Sequence, residues 1–144
     1  MNIKYRKAKI EDVPFILDIL NSVSGDIKNI DSNQFLIAQD KNKIIGCVRI
    51  QNIDGHFKLA SLAVLPNYRR MGIGSALITK ILDVNIKRPV YLFCNIKNES
   101  FYKKLGFKRI EIKNIPETLK KDYDNLLNLK FAKNTELLIA MILV

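Results

Sequence analysis

Two turn signals constrain this chain more than any other feature. Asp40-Lys41-Asn42 and Asp54-Gly55 divide the stretch from Phe35 to Leu65 into three runs rich in apolar and β-branched residues, 35–39, 43–53 and 56–65. Runs of this kind joined by tight turns read as successive hairpin strands. Gly74–Ile86 follows, with Ala76, Leu77, Ile78, Ile81 and Leu82 at helical spacing. Pro89–Asn95 is then nearly all apolar, as in a strand buried on both faces. Strand, helix and buried strand in that order predict a crossover unit. Upstream, a strand at Ile3–Lys9 leads into a helix opened by Asp12 and Pro14. That helix carries Phe15, Ile16, Ile19, Leu20 and Val23 and stops at Gly25. The polar segment 26–32 holds at most one short helix. Downstream, the pattern predicts a helix at Asn98–Leu105, capped by Asn98 and stopped at Gly106, and a strand at Phe107–Ile112. A polar excursion over 114–135 contains a helix from Pro116 to Leu129, and Leu137–Val144 is a last strand. The predicted fold class is α/β: a mixed, mostly antiparallel central sheet of about seven strands with helices on both faces.

At 144 residues the chain fits one domain, 1–144, long enough to bury a core without disulfides or metals. Its 48% hydrophobic and 26% charged residues are those of a globular protein and argue against disorder. The longest apolar run, Leu137–Val144, falls far short of the roughly 20 residues that span a bilayer. No signal-peptide pattern opens the sequence. Cys47 and Cys94 lie in apolar stretches, and His56 is the single histidine. This excludes a disulfide framework and a Cys/His zinc cluster and fits a reducing cytoplasm. The net charge of +10 attracts polyanions, phosphate-bearing ligands included, and equally suits a plain solvated surface.

The most informative stretch runs from Leu62 to Leu77: Leu-Ala-Val-Leu-Pro-Asn-Tyr-Arg-Arg-Met-Gly-Ile-Gly-Ser-Ala-Leu. A strand ends, Arg69 and Arg70 follow, and Gly72 and Gly74 open a helix. Backbone N–H groups at such a helix start, aided by the helix dipole, bind anions, and the arginines add charge at the mouth. The bland alternative is a Gly-rich turn with two solvated arginines. The P-loop and dinucleotide fingerprints are both excluded, because no Lys-Ser/Thr pair follows and the third glycine is missing.

The pattern Val64-x-Pro66-x-Tyr68-Arg69-x-x-Gly72-Ile73-Gly74-x-x-Leu77 resembles the acetyl-CoA loop of the GCN5-related N-acetyltransferase (GNAT) family, in which Gln/Arg-x-x-Gly-x-Gly/Ala binds the CoA pyrophosphate. Arg69, Gly72 and Gly74 match its three positions. A second segment, Asn95-Ile96-Lys97-Asn98-Glu99-Ser100-Phe101-Tyr102-Lys103-Lys104-Leu105-Gly106-Phe107, is similar to the family's Asn-x-x-Ala-x-x-Phe-Tyr-x-x-x-Gly-Phe. Asn98 stands where the family usually has alanine. The resemblance covers nearly the whole chain. It implies that acetyl-CoA is the cosubstrate, bound by Leu62, Ala63, Val64, Arg69, Arg70, Met71, Gly72, Ile73, Gly74, Ser75, Asn95 and Tyr102, with no metal. It further implies that Tyr102 is the general acid that protonates the departing CoA thiolate. Read without the resemblance, Tyr102 is an ordinary core tyrosine and Asn95 a strand-ending turn residue.

Many relatives carry a glutamate base near the positions of Lys58, Ala60 and Ser61, and none stands there in this sequence. Ser61 is expected at most to hold a water. Glu111 qualifies only if it faces the cleft, and His56 reads as an exposed hairpin residue. Residues 20–32 and 113–136 are expected to frame the acceptor. Arg49 and Lys58 either pair with an acceptor carboxylate or point to solvent. The expected activity is acetyl transfer from acetyl-CoA to a primary amine, on a small molecule such as an amino acid or on a peptide. The amine attacks directly in a ternary complex, and the tetrahedral intermediate is held by backbone N–H groups near Leu62–Val64. The expected partners are acetyl-CoA and the amine acceptor, with no nucleic acid or membrane, in a cytoplasmic monomer or homodimer. The alternatives are a basic nucleic-acid-binding module and a CoA-binding regulator with the same fold and no turnover.

Overall fold

The computed structural model describes residues 2–23, 25–130 and 137–144. Seven strands are present among them: β1 (Ile3–Lys7), β2 (Phe35–Asp40), β3 (Lys43–Ile53), β4 (His56–Val64), β5 (Val90–Asn95), β6 (Lys108–Ile110) and β7 (Leu138–Leu143). Four α-helices accompany them: α1 (Val13–Ser22), α2 (Ile73–Val84), α3 (Glu99–Lys104) and α4 (Glu117–Lys130). The hydrogen-bonded order is β1-β2-β3-β4-β5-β7-β6. β4 and β5 are parallel, whereas β1–β2, β2–β3, β5–β7 and β6–β7 are antiparallel. This is the mixed, mostly antiparallel sheet that the sequence predicts. The ambiguous segment 26–32 contains no α-helix, and a 3₁₀ turn, Ser32–Gln34, begins at its last residue. The polar excursion 114–135 runs into 131–136, which lies outside the described residues.

The chain divides into two compact units. The first comprises Met1–Ile50 and Ala60–Ile86. Alternation along its strands serves two faces. Phe35, Ile37 and Cys47 join Ile16, Ile19 and Leu20 of α1 in one apolar cluster. Gly46 faces the other way, against Leu77 of α2. A Cβ there would lie 3.2 Å from both the Leu77 side chain and the Ala63 carbonyl, so any side chain would make its neighbours give by a few tenths of an ångström. Asp12 precedes α1 as expected and accepts from the Lys9 N–H at 2.7 Å and from Arg6 at 2.8 and 3.0 Å. The Arg6 guanidinium foremost, with the Lys9 N–H, holds its carboxyl below the usual carboxylate range despite some desolvation.

The second unit comprises Gln51–Leu59 and Lys87–Val144. Leu119 and Tyr123 of α4 pack with Ile115, Tyr91, Leu138 and Ala140, and the Tyr123 hydroxyl donates to the Leu138 carbonyl at 3.2 Å. Asn95, not Asn98, provides the cap at the start of the third helical stretch: its side chain accepts from the Lys97 N–H at 2.9 Å, while Asn98 caps nothing. The chain enters a 3₁₀ turn at Ile96–Asn98 before α3, and that moves the capping position forward to Asn95.

The most unusual packing element of the first unit is Arg49, which is fully buried. Its guanidinium donates to Ser61 Oγ at 2.9 Å, to the Lys28 carbonyl at 3.1 Å and to the Asn29 carbonyl at 3.2 Å, and it pairs with Asp26 at 3.6 Å. Its charge also lies 5.3 Å from the centre of the Phe35 ring. The expectation that Arg49 points to solvent is thus replaced by a buried polar hub. Removing a buried, fully hydrogen-bonded charge leaves its partners unmet, at a cost of about 3–5 kcal/mol. Arg49→Met is expected to lower unfolding stability by about that amount in urea titration. Arg49→Lys is expected to recover little of the loss, because an ammonium lacks the planar fork.

Candidate functional site

The anion-binding loop predicted by the sequence lies in the first unit. β4 ends at Val64, Leu65 donates to the Ile45 carbonyl at 2.9 Å, and a 3₁₀ turn spans Pro66–Tyr68. The Tyr68 hydroxyl donates to Asp40 Oδ2 at 2.8 Å, which pins the turn to the end of β2. Arg69 is exposed, and its Nε donates to the Val64 carbonyl at 3.0 Å, so only the far end of the guanidinium is left for a ligand. Arg70 is exposed in the left-handed region at φ +64°. Met71 is half exposed.

Gly72 then adopts φ +76° as the residue that opens α2. A Cβ on it would meet nothing within 4 Å, so the requirement for glycine here is conformational, and the space beside it is open. The first N–H groups of a helix have no intrahelical acceptor, and no side chain caps α2. The amides of Ile73, Gly74 and Ser75 are therefore available to an anion, while the Ile73 side chain is buried as the anchor of the turn. Open space, uncapped amides and two exposed arginines fit a diphosphate group.

Immediately before this loop, Ser61 sits at φ +58° within β4. Nothing in a serine signals that conformation, and the sequence reading missed it. The contacts that hold it are now visible. Its hydroxyl accepts from Arg49 and donates to the Asp26 carbonyl at 3.2 Å, and its own carbonyl accepts from the Cys47 thiol at 3.4 Å. A non-glycine residue in this region costs of order 1–3 kcal/mol and persists only where its surroundings over-determine it. The hydroxyl is occupied and does not serve as a free relay. Leu62, Ala63 and Val64 continue from the kink to the loop.

Tyr102 and Asn95 belong to the second unit. Tyr102 lies on α3, its ring edge-on to Phe101 (centroids 5.0 Å apart) and to Phe107 (6.1 Å). Its hydroxyl has no hydrogen bond among the described residues. Burial, reinforced by the nearby Cys94, pushes its phenol well above the ordinary tyrosine value, so it stays protonated. Cys94 is itself pushed up to about 11 and Cys47 to about 12, in both cases chiefly by desolvation. Neither thiol offers a thiolate near neutrality. The carbonyl oxygen of the Asn95 side chain is taken by its cap, which leaves the amide nitrogen.

The candidate bases resolve differently from one another. Glu111 is exposed and pairs with Lys113 at 3.5 Å. His56 is half-buried rather than exposed, with Nδ1 3.1 Å from the Thr118 hydroxyl of α4. Lys58 is buried instead of solvated, paired with Asp122 of α4 and 5.7 Å from the centre of the Phe93 ring. Among the described residues no group of three His, Cys, Asp or Glu side chains is placed to hold a metal ion, and no helix is long and apolar enough to cross a membrane.

The acetyltransferase (GNAT) domain family matches residues 31–109. The chain belongs to the GNAT acetyltransferase family. It is 30% identical over 131 residues to an uncharacterized N-acetyltransferase of Chlorobaculum tepidum, covering 83% of this chain and 84% of that one. It is 28% identical over 136 residues to an amino-acid acetyltransferase of Buchnera aphidicola, covering 84% of this chain and 30% of that one. The crystal structure of N-acetylglutamate synthase from Neisseria gonorrhoeae, complexed with coenzyme A and N-acetyl-glutamate, superposes with a TM-score of 0.78 at 19% identity, covering 99% of this chain and 35% of that one. The chain therefore spans about a third of the length of the last two proteins, and the third likeness is one of fold.

A ligand present at a hundred times its dissociation constant stabilises a fold by about 2.7 kcal/mol. Acetyl-CoA is expected to raise the melting temperature of the parent. Gly72→Asp, which adds a side chain and a negative charge at a left-handed position, is expected to abolish that rise while the variant stays folded by circular dichroism. An undiminished rise in the variant would remove the loop from the binding site.

Proposed function

We propose that this protein is an acetyl-CoA-dependent N-acetyltransferase that works by direct attack of a primary amine, with Tyr102 as the general acid. The carrying observation is the Tyr102 hydroxyl itself: burial keeps it protonated well beyond neutral pH, it has no hydrogen bond among the described residues, and two aromatic rings flank it. When bound, acetyl-CoA supplies a thioester whose acetyl carbon accepts the amine. In this reading the α2 amides and the arginines at 69 and 70 hold the diphosphate, and the Asn95 amide nitrogen donates to the pantetheine arm. Backbone N–H groups in Leu62–Val64, redirected by the Ser61 kink, meet the developing oxyanion. Tyr102 then donates its proton to the leaving thiolate, whose conjugate acid has a pKa of about 8.5.

Direct attack is favoured over a covalent acyl-enzyme because both cysteines are held as thiols. No base is assigned: Ser61 is engaged, Glu111 faces water, and an α-amine with a pKa near 7.7–8.0 needs little help. We place the protein in the cytoplasm as a monomer or homodimer, consistent with its free cysteines, Cys47 and Cys94.

Tyr102→Phe keeps the ring and its edge-on contacts. It is expected to lower kcat at least about tenfold, at the modest end of general acid catalysis, with acetyl-CoA affinity nearly unchanged. The defect should shrink with a thioester whose thiol is more acidic. Parent-like turnover under chemistry-limited conditions would return Tyr102 to a packing role.

The pH profile gives a second test. Because the phenol is raised above its ordinary value of about 10, its deprotonation should produce no falling limb in kcat below roughly pH 10. A limb centred near pH 8 that disappears in Tyr102→Phe would contradict the proton-holding environment described above.

A further inference from the structure

The Tyr102 hydroxyl has no hydrogen bond among the described residues to direct it, and its ring meets Phe101 and Phe107 edge-on. The direction of its O–H therefore depends on where α3 sits. That helix is six residues long, and no side chain caps its start. So short a helix does not hold itself in water. Its pose is set by contacts with the rest of the second unit.

Both ends of α3 are tied. At its C-terminal end the Tyr102 carbonyl accepts from the Leu105 N–H at 3.0 Å and from the Phe107 N–H at 3.2 Å, around Gly106 at φ +101°. At its first residue, Glu99 accepts two hydrogen bonds from Arg109 of β6, one from Nε and one from Nη2, both at 2.6 Å. A carboxylate joined to a guanidinium through two parallel bonds is fixed in orientation as well as in distance.

Sheet register shows on which side this clamp lies. Arg109 stands opposite Met141, and Met141 opposite Leu92 of β5. Opposed residues share a face, and so do alternate residues of one strand. Arg109, Met141, Leu92 and Cys94 therefore line one face, where the Cys94 thiol lies 4.0 Å from the Met141 sulfur. Ile110, Ala140 and Phe93 turn to the other face and pack with α4. Desolvation dominates the shifts of both Cys94 and Tyr102. Beyond it, Cys94 feels the charges of Glu99 and Arg109, and Tyr102 feels Cys94. The clamp and the proton donor thus border the same thiol.

We propose that Glu99 and Arg109 are positioning residues for acetyl transfer, whose paired bonds set the pose of α3 and so aim the Tyr102 hydroxyl. The inference rests on the general-acid reading of Tyr102. The Arg109 side chain is 47% exposed, so the pair adds little to global stability. Its effect on geometry is another matter, because a misplacement of about 1 Å can cost about 10²-fold in rate. Stability and turnover are thereby expected to respond differently to its loss.

The test uses the full chain, acetyl-CoA and the fastest amine from a panel of amino acids and tetrapeptides. Glu99→Gln/Arg109→Met breaks the clamp without leaving either charge alone. It is expected to lower kcat at least about fivefold, and by no more than Tyr102→Phe does, with KM for acetyl-CoA and melting temperature nearly unchanged. Arg109→Lys keeps the charge but loses the fork. It should show the same defect in weaker form, which covers the case of a poorly folded double variant. Placed in the Tyr102→Phe background, the broken clamp should cost less than about twofold more, because the group it aims is already gone. A merely structural clamp would slow both backgrounds alike.

A second readout needs no acceptor. With ring-labelled tyrosine, the chain gives NMR signals from five residues, and the one lost in Tyr102→Phe belongs to Tyr102. Breaking the clamp should move that signal and leave those of Tyr5, Tyr68, Tyr91 and Tyr123 in place. Parent-like kcat in both clamp variants, or a loss equally large in the Tyr102→Phe background, would overturn the proposal. Failure of the general-acid reading looks different: Tyr102→Phe itself then turns over like the parent, and the proposal falls with it. Where no amine in the panel releases CoA, the NMR signal decides, and an unmoved Tyr102 overturns the proposal.

Discussion

A guanidinium with no access to water organises the first unit. Arg49 is charged at every accessible pH, so the structure must surround it with acceptors or leave it unfolded in solvent. It does so by drawing in the carbonyls of Lys28 and Asn29, the carboxylate of Asp26 and the hydroxyl of Ser61. The irregular segment after α1 has few apolar residues of its own with which to hold a shape, and these contacts give it one. The same guanidinium fixes Ser61 in a conformation that serine does not choose, and the kink in β4 persists because Arg49 is there.

From that kink the geometry passes along the chain to the glycine loop. Leu62–Val64 lead from Ser61 to the turn that Tyr68 ties to Asp40, and Gly72 then reverses the backbone into α2 with its amides uncapped. Each step is a short local constraint that depends on the one before. Tyr102 is prepared differently, by subtraction: burial raises the cost of its phenolate, and the described residues offer its hydroxyl no partner. Neither the α2 amides nor the Tyr102 hydroxyl carries a formal charge, and Arg69 and Arg70 are only two of the 24 basic side chains behind the net charge of +10.

Periodicity and turn residues made the elements legible. Asp54-Gly55, Gly25 and Gly106 marked boundaries that the structure keeps, and the apolar run at 90–95 became a strand flanked by neighbours. The loop was legible because glycine positions and neighbouring arginines are local in sequence. The polar contacts were not. Arg49 and Lys58 read as cations that either meet an acceptor carboxylate or point to solvent, since a long basic side chain in a strand gives no sign of which acceptors will reach it. Their partners come from distant segments, with Asp122 lying 64 positions from Lys58. His56 joined α4 through Thr118 for the same reason. The cap at Asn95 was missed because a 3₁₀ turn shifts the helix start by a few residues, and composition alone does not distinguish the two registers.

The paired contacts between β4 and α4 also bear on how the chain reaches its native state. His56 and Lys58 are two apart on a strand, and Thr118 and Asp122 are four apart on a helix, so both bonds lie along one seam. Closing it requires ends separated by 62 and 64 residues to meet, whereas the hairpin carrying His56 and Lys58 closes across two. Loop-closure entropy puts such distant contacts late in folding. Until the helix docks, the Lys58 ammonium stays hydrated and is not yet committed to its buried site. The last part of the second unit to become native is then the part that sets the charge of its interior. A ribosome-bound chain that has emerged only through β5 carries the lysine without the carboxylate that neutralises it.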